Sequence, residues 1–253
     1  MRRYVFLALL ILAAAAPAFA LRTNGSTVVL PVIGRFPGGF GSQWRTDVFI
    51  HNPYEPAQQV TLNFYVTGGS LLTRTATVGK YSTLAYRDIV LNLFGLSNAA
   101  GMLEVVTLPP EGSGVDVRAR IFNAGNTVGE FGQSVPGIAR EWLRSQAQIS
   151  GLSGLNNNRL NVGVANPNDV AVTVTMFVAD KDNLGLGSRS IPVGPHQYVP
   201  VNDVFTSLGI PPREDVTIEF TSGNPETPIY GYASEVRNDS GDAIFIFGTA
   251  PNT

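Results

Sequence analysis

An internal repeat is the sequence feature that most limits what this chain can fold into. Residues Arg45–Pro53 align with Arg159–Pro167, 114 residues further along, and both segments end in Asn-Pro. Matches that keep their order over about 110 residues indicate one structural unit present twice. Further matches, at a spacing of 114 or 115, pair Val60-Thr61-Leu62 with Val174-Thr175-Met176 and Leu103-Glu104-Val105 with Ile218-Glu219-Phe220.

Each copy of the repeat carries the period-two hydrophobic pattern of β-strands. Apolar residues at alternate positions place one face of a sheet on a core. The 27 glycines and 17 prolines provide frequent turns, so we predict an all-β chain of two tandem immunoglobulin-like β-sandwich modules. The alternating sets are Val60, Leu62, Phe64, Val66 and Val115, Val117, Ala119, Ile121 in the first copy, and Val170, Val172, Val174, Met176, Val178 and Tyr230, Tyr232, Ser234, Val236 in the second.

One short helix is predicted in each copy. Asp88 and Asp203 are each followed by apolar residues and then by a glycine, Gly95 or Gly209. An aspartate at the start of a helix accepts hydrogen bonds from its first turn, and a left-handed glycine ends the helix. We therefore interpret both aspartates as helix caps rather than catalytic acids. The apolar residues between them and the glycines are expected to close one end of each sandwich.

The repeat and the N-terminus together divide the chain into four segments. We expect a signal peptide at 1–20, a first module at 21–138, a linker at 139–146 and a second module at 147–253. The linker region is compatible with a short helix. It is equally compatible with the lead-in to a strand that packs Trp142 between the modules, which would fix their relative orientation.

The N-terminus has the three parts of a secretory signal peptide. Arg2 and Arg3 precede an apolar run from Tyr4 to Ala16, and Ala18-Phe19-Ala20 supplies an A-x-A cleavage site. The run is shorter than the roughly 20 residues that a membrane-spanning helix needs. We therefore predict cleavage after Ala20, no membrane insertion afterwards, and a location in the periplasm, on the cell surface or outside the cell.

Charge and cysteine content narrow the class of partner. Residues 21–253 keep 15 of the 17 basic residues and all 19 acidic ones, a net charge of −4 without a basic run. This balance argues against nucleic acid as a partner. The chain has no cysteine, which for an exported protein fits a bacterial source, and modules of about 100 residues can bury a core without disulfides.

Several segments resemble an uncharacterised tandem immunoglobulin-like repeat of secreted bacterial proteins. The shared patterns are turn and core patterns, so the resemblance implies an exported immunoglobulin-like module and implies no activity, cofactor or functional residue. The segments are Asp88–Leu96, Arg120–Asn123, Gly129–Pro136, Asn161–Asn166 and Tyr232–Asp242.

The sequence lacks the motifs of common catalytic and metal sites. There is no G-x-S-x-G, and the two histidines, His51 and His196, have no catalytic partner at a useful spacing. A triad could still assemble in space, because triads are defined by geometry, but we predict neither an enzyme nor a cofactor. A weak calcium candidate is the segment with Asp180, Asp182 and Asn183, which lacks the distal glutamate of an EF-hand loop. The alternative for that segment is an ordinary turn.

Aromatic residues suggest a possible carbohydrate site. Sugar-binding sandwiches present aromatic rings on one face, and the candidate ligand-binding residues here are Trp44, Tyr54, Tyr65 and Phe177. Tyr65 and Phe177 do not occupy equivalent positions in the two copies. They are therefore also compatible with core or module-interface positions.

Two apolar strands are candidates for assembly. The strand with Val28 and Leu30 is most simply the first strand of module one, or else it adds to a neighbouring sheet. The segment with Ile244, Phe245, Ile246 and Phe247 is apolar on both faces, which is hazardous for a free edge. We therefore predict a non-enzymatic secreted or cell-surface protein with a structural or adhesive role, acting through a protein partner or self-assembly. A carbohydrate-binding module is the alternative.

Overall fold

The computed structural model describes residues 24–108, 114–125 and 129–250, so the predicted signal peptide at 1–20 lies outside the described residues. The chain is all-β with antiparallel sheets, as predicted, and no helix in its described part is long and apolar enough to cross a membrane. The helices are α1 (Ile89–Asn92) and α2 (Val204–Leu208), and single 3-10 turns lie at Gly39–Gly41 and Arg140–Trp142. The strands are β1 (Asn24–Gly25), β2 (Thr27–Pro37), β3 (Gln43–His51), β4 (Gln58–Val66), β5 (Leu71–Val78), β6 (Thr83–Tyr86), β7 (Ala99–Thr107), β8 (Val115–Asn123), β9 (Phe131–Pro136), β10 (Ile138–Ala139), β11 (Gln146–Leu152), β12 (Asn158–Asn166), β13 (Val172–Ala179), β14 (Gly185–Val193), β15 (Gln197–Val201), β16 (Val216–Thr221), β17 (Tyr230–Arg237) and β18 (Ala243–Phe247).

The strand order of residues 24–139, here called the first half, is repeated in residues 146–250, the second half. In the first half one layer has the order β2-β7-β4-β5, and the other has the order β6-β3-β8-β9. In the second half the layers are β11-β16-β13-β14 and β15-β12-β17-β18. Each half is thus β-sandwich-like, with an apolar core between its two layers.

Strand β2 belongs to both layers of the first half. Its pairing with β7 extends from Thr27 to Arg35, and Phe36 next to its end pairs with Trp44 on β3. The register against β7 shifts between Leu30 and Ile33, around Pro31. Because proline has no N–H to give to a ladder, it is found at such bulges, where the strand bends. The pairing with β7 resumes beyond this bulge and continues to Arg35, so β2 joins the other layer only at its last two residues.

The predicted alternation is confirmed in β4 and β13, with one exception. Val60, Leu62 and Phe64 are fully buried, and Val66 is half-buried. In the second half the alternating buried residues begin at Val172, because Val170 lies in the preceding turn and is 56% exposed. The sequence pattern extended this strand one apolar residue too far.

The register of β17 differs from the sequence alignment. Asp47 on β3 pairs with Arg120, whereas its counterpart Asn161 on β12 pairs with Ser234. Ser234 therefore corresponds to Arg120, and not to Ala119 as the sequence alignment predicted. The buried residues Tyr230, Tyr232, Ser234 and Val236 consequently occupy the face of the layer that points away from the core of their own half.

Both predicted helices are present, but their capping differs from the prediction. Within the described contacts, neither aspartate side chain caps its helix, because both residues have left-handed backbones. Asp88 instead pairs with Arg35 at 2.6 Å, and Asp203 accepts a hydrogen bond from Thr206 at 2.5 Å. Gly95 and Gly209 adopt the predicted left-handed conformation. The helices bury Ile89, Val90, Val204 and Phe205 in the cores of their own halves.

The connection between the halves is a short pairing and a 3-10 turn. Strand β10 pairs with β2, and the turn Arg140–Trp142 leads toward β11. Trp142 is 36% exposed, with the Arg144 guanidinium 5.9 Å from its ring, so it is not fully buried. Leu143 is buried in the core cluster of the first half instead.

Candidate interaction surfaces

A tyrosine-rich face of the second half packs against the first half. Tyr198, Tyr230 and Tyr232 project from β15 and β17 on the outer side of their layer, and all three join the core cluster of the first half. The Tyr230 hydroxyl donates a 2.7 Å hydrogen bond to the carbonyl of Pro136. The Tyr232 ring stacks on Phe245 with centroids 4.9 Å apart. We call this contact the junction.

A glycine makes room for one of these rings. A Cβ added to Gly163 on β12 would lie 2.4 Å from the ring of Tyr232. Such a distance is far below van der Waals contact, so the ring lies flat on the layer only because the position has no side chain. Beside it, the Ser234 hydroxyl donates a 2.8 Å hydrogen bond to the Gln133 side chain of β9, which orients the two halves.

A polar cluster occupies one end of the junction. The His196 ring stacks on Tyr65 of β4 with centroids 4.3 Å apart and an interplanar angle of 8°. The Tyr65 hydroxyl donates to Glu104 on β7 at 3.3 Å, and His196 Nδ1 lies 3.6 Å from the other Glu104 oxygen. On its far side, His196 Nε2 lies 2.8 Å from the exposed carboxylate of Asp169.

Burial and charge shape the acid–base properties of this cluster. Burial raises the pKa of Glu104 above its ordinary value, opposed by the nearby His196 and Arg140, and burial together with Glu104 raises the pKa of Tyr65. The hydrogen bond with His196 lowers the pKa of Asp169. A neutral imidazole that donates through Nε2 presents a lone pair at Nδ1, so a favourable contact with Glu104 requires a proton on one of the two groups.

A pair of turns holds His196 in place. The buried Asn166 side chain donates to the carbonyls of Val170, Val193 and Gly194, which ties the β12–β13 turn to the β14–β15 turn. His196 itself has a left-handed backbone, with φ of 52°, and its N–H donates to the carbonyl of Asn168. These contacts direct the imidazole out of the second half and onto Tyr65.

The first half contains the same pair of turns, but there they are exposed. Asn52 donates to the carbonyls of Pro56, Val78 and Gly79, as Asn166 does in the second half. Tyr81 has a φ of 48°, and its N–H donates to the carbonyl of Tyr54, so Tyr81 corresponds to His196. Tyr81 is 65% exposed and Tyr54 is 36% exposed. We call residues 52–57 and 79–82 together the Tyr81 tip.

A small polar cleft lies at another edge between the halves. It has a volume of about 190 Å³ and is lined by the 3-10 turn of the first half and the β17–β18 hairpin of the second. Arg159 donates to Asn238 at 2.7 Å, and Arg237 forms a two-point ion pair with Asp239, which lowers the pKa of Asp239 to about 2. These polar side chains of the cleft therefore bind one another.

The four candidate sugar-binding aromatics do not form one platform. Trp44 is buried in the core of the first half, and Tyr65 is covered by His196. Tyr54 lies on the Tyr81 tip, whereas Phe177, 38% exposed, lies on β13 of the second half. Only the last two therefore present accessible rings, and they belong to different halves.

The calcium candidates form a turn that binds its own backbone. Asp180 Oδ1 accepts hydrogen bonds from the N–H groups of Asp182 and Leu184, and Asn183 has a left-handed backbone. In the described part of the chain, three or more histidine, cysteine or acidic side chains never gather in a metal-binding group. The turn interpretation explains the spacing of these residues.

The two candidate assembly strands lie in different environments. Val28 and Leu30 are fully buried on β2, which pairs with β7 on one side and β10 on the other, so this strand cannot also extend a neighbour's sheet. Phe245 and Phe247 of β18 pack against the first half's core cluster, and Ile246 packs on the core of the second half. Ile244 alone in β18 is largely exposed, at 60%.

Comparison with known proteins adds little to this geometry. No protein family and no curated protein matches the sequence. Among solved structures, the Pleurotus ostreatus lectin in its apo form is 13% identical with a TM-score of 0.15, over 90% of this chain and 82% of the lectin. The same lectin in complex with GalNAc is 13% identical with a TM-score of 0.16, over 89% and 86%. A calcium-binding mutant of Bacteroides uniformis beta-glucuronidase 2 is 10% identical with a TM-score of 0.16, over 80% of this chain and 26% of the enzyme.

Proposed function

We propose that this chain is a non-enzymatic secreted or cell-surface protein with a structural or adhesive role, and that it acts through contacts with other proteins. One observation carries the proposal. The pair of turns that binds a protein surface in the second half recurs in the first half, where it exposes Tyr81. Tyrosine is enriched in protein interfaces because it offers a large ring and a polar hydroxyl at a small entropic cost.

The proposal includes export through the signal peptide at 1–20 and two tandem immunoglobulin-like modules. The repeated strand order and the matching hydrogen bonds of Asn52 and Asn166 support the tandem interpretation. The acid–base groups at the junction support a structural role rather than a catalytic one. Glu104 is only 4% exposed and is covered by Tyr65 and His196, so a substrate has little access to it.

Site-specific cross-linking in the exporting cells tests this function. A photoreactive phenylalanine analogue at Tyr81 is expected to give protein adducts that mass spectrometry identifies. The same analogue at Leu91, which is 37% exposed on α1, is the matched control. Equal labelling at both positions, or no protein adduct at Tyr81, would contradict the proposal.

Glycan binding is a second candidate function, favoured by the neighbouring exposed rings of Tyr54 and Tyr81. Aromatic rings stack on the C–H surfaces of sugars, and the backbone hydrogen bond between these residues fixes their spacing. Under this candidate, a glycan array would retain the wild-type protein and lose the Tyr81→Ala variant. Unchanged retention, or none by the wild type, would remove the candidate.

A further inference from the structure

The strand register identifies a second-half counterpart for the surface that receives His196. Leu62 on β4 pairs with Val105 on β7, and Met176 on β13 pairs with Phe220 on β16. Since Leu62 and Met176 are equivalent in the repeat, Val105 corresponds to Phe220. The preceding residue, Glu104, therefore corresponds to Glu219.

This counterpart is an aromatic and acidic surface whose ring lies two positions away from that of Tyr65, since Phe177 corresponds to Asn63 and Tyr65 corresponds to the buried Ala179. Phe177 lies directly opposite Glu219 in the ladder between β13 and β16. Phe177 is 38% exposed and the nearby Leu184 is 65% exposed. A Cβ on Gly185 would lie 3.0 Å from the Phe177 ring, so the ring rests over β14 and presents its other side outward. We call Phe177, Leu184 and Glu219 the Phe177 face.

We propose that copies of this chain bind one another head to tail, with the Tyr81 tip of one copy on the Phe177 face of the next. This proposal rests on the proposed function and names its partner as a second copy. The Tyr81 ring stacks on Phe177, which lies opposite Glu219 in the ladder, and the Tyr81 hydroxyl donates to the carboxylate of Glu219. The exposed Lys80 beside Tyr81 adds a cation opposite the same carboxylate.

The contact joins two different surfaces, so it does not close on itself. A heterologous contact of this kind leaves one free tip and one free face on every assembly, and it extends into a chain unless a rotation closes a ring. Each added copy therefore repeats the relation that already joins the first half to the second half.

The contact between copies is weaker than the junction within one copy. In the junction, the outer face of the second half contributes Tyr230 and Tyr232. By register the corresponding first-half residues are Asp116 and Arg118, which are charged. Charged side chains keep this face hydrated, so association relies on the tip and depends on protein concentration.

Sedimentation velocity of the mature chain, residues 21–253, tests the proposal across a wide concentration range. We expect the mean mass of the wild type to rise with concentration beyond that of a dimer. Tyr81→Ala and Phe177→Ala are each expected to remain monomeric, whereas the control Leu91→Ala assembles like the wild type. Circular dichroism verifies that the variants are folded.

A mixture of the two variants supplies the sharpest result. Tyr81→Ala keeps an intact Phe177 face, and Phe177→Ala keeps an intact Tyr81 tip. In an equimolar mixture, the intact tip of a Phe177→Ala copy can bind the intact face of a Tyr81→Ala copy. The tip and the face left free on that dimer are the two mutated ones, so we expect dimers and nothing larger. A monomeric wild type, or single variants that still assemble, would overturn the proposal.

The cross-linking experiment separates failure of this proposal from failure of the proposed function. An adduct between Tyr81 and a second copy, mapped to the region of Phe177 and Glu219, supports both. An adduct with a different protein leaves the proposed function standing and overturns self-assembly. If Tyr81 forms no adduct with a second copy or with another protein, both the self-assembly proposal and the proposed function are overturned.

Discussion

At the scale of single residues, Asn52 and Asn166 illustrate how one side chain fixes the geometry of a loop pair. Each is fully buried and donates to three carbonyls on two turns. Both precede a proline in the sequence, and in the structure β3 ends at His51 and β12 ends at Asn166. The carbonyl partners lie up to 28 residues away, so they depend on the pairing of strands and could not be predicted locally.

Replacing either asparagine is expected to destabilise the fold by a similar amount. Asn52→Ala and Asn166→Ala each leave buried carbonyls without a donor, which costs about 1–3 kcal/mol of unfolding free energy. Urea unfolding of both variants measures this cost, with Asn98→Ala, at an exposed position, as the control. A loss in only one of the two variants would show that the two networks are not energetically equivalent.

His196 shows what sequence reasoning misses at this scale. Its partners, Tyr65 and Glu104, lie in the other half of the chain, so spacing along the sequence carries no sign of them. The alignment of the two copies does place His196 at the position of Tyr81, which indicates that the two residues occupy equivalent turns. Both positions follow a glycine by two residues and both adopt the left-handed backbone, but that conformation is visible only in the structure.

At the scale of elements, β17 explains why a hydrophobic pattern can give the wrong face. Period two identifies a face only when the opposite face is polar. In β17 the residues Gly231 and Ala233 face the strand's own core, while Tyr230 and Tyr232 are buried in the junction. Because both faces of β17 are buried, the hydrophobic pattern predicts that the larger residues, Tyr230 and Tyr232, face the core of their own half, and this prediction is wrong. The strand itself was predicted correctly.

The tyrosines on β15 and β17 make the fold sensitive to alkali. Burial raises the pKa of Tyr198 to about 12 from its ordinary 10.0, and it also raises the pKa of Tyr230 and Tyr232. The unfolded chain therefore ionises first, and the stability that is present below pH 10.0 falls as the pH approaches 12. Urea unfolding of the wild type along this range is expected to show the decline.

The variant Tyr198→Phe tests the contribution of one ring. Phenylalanine keeps the packing and removes the ionisable hydroxyl, so the decline in stability above pH 10.0 becomes shallower. Tyr81→Phe, at a position that is 65% exposed, is the matched control. If both variants follow the wild-type curve, burial of Tyr198 is not a source of the alkaline sensitivity.

At the scale of the whole molecule, the junction is expected to couple the unfolding of the two halves. Residues of β15, β17 and β18 belong to the core cluster of the first half, so neither half can unfold without exposing the other's apolar surface. Calorimetry of the wild type is expected to show one transition. Tyr232→Ala is expected to lower the free energy of unfolding by about 3–5 kcal/mol and to separate the single transition into two. Phe177→Ala, on an exposed face, is the control and is expected to keep a single transition. Two transitions in the wild type would show independent halves.

The course of β2 has a mechanical consequence for a protein tethered at its N-terminus. Tension that enters the chain there reaches β1, which pairs with β8, and then β2, which is bonded to β7 in one layer and at its far end to β3 in the other. The pull is therefore met first by the β1–β8 pairs and then by the long pairing of β2 with β7, and the two pairs with β3 are loaded last. A force applied to the N-terminus is therefore expected to open the first half from its first strands inward.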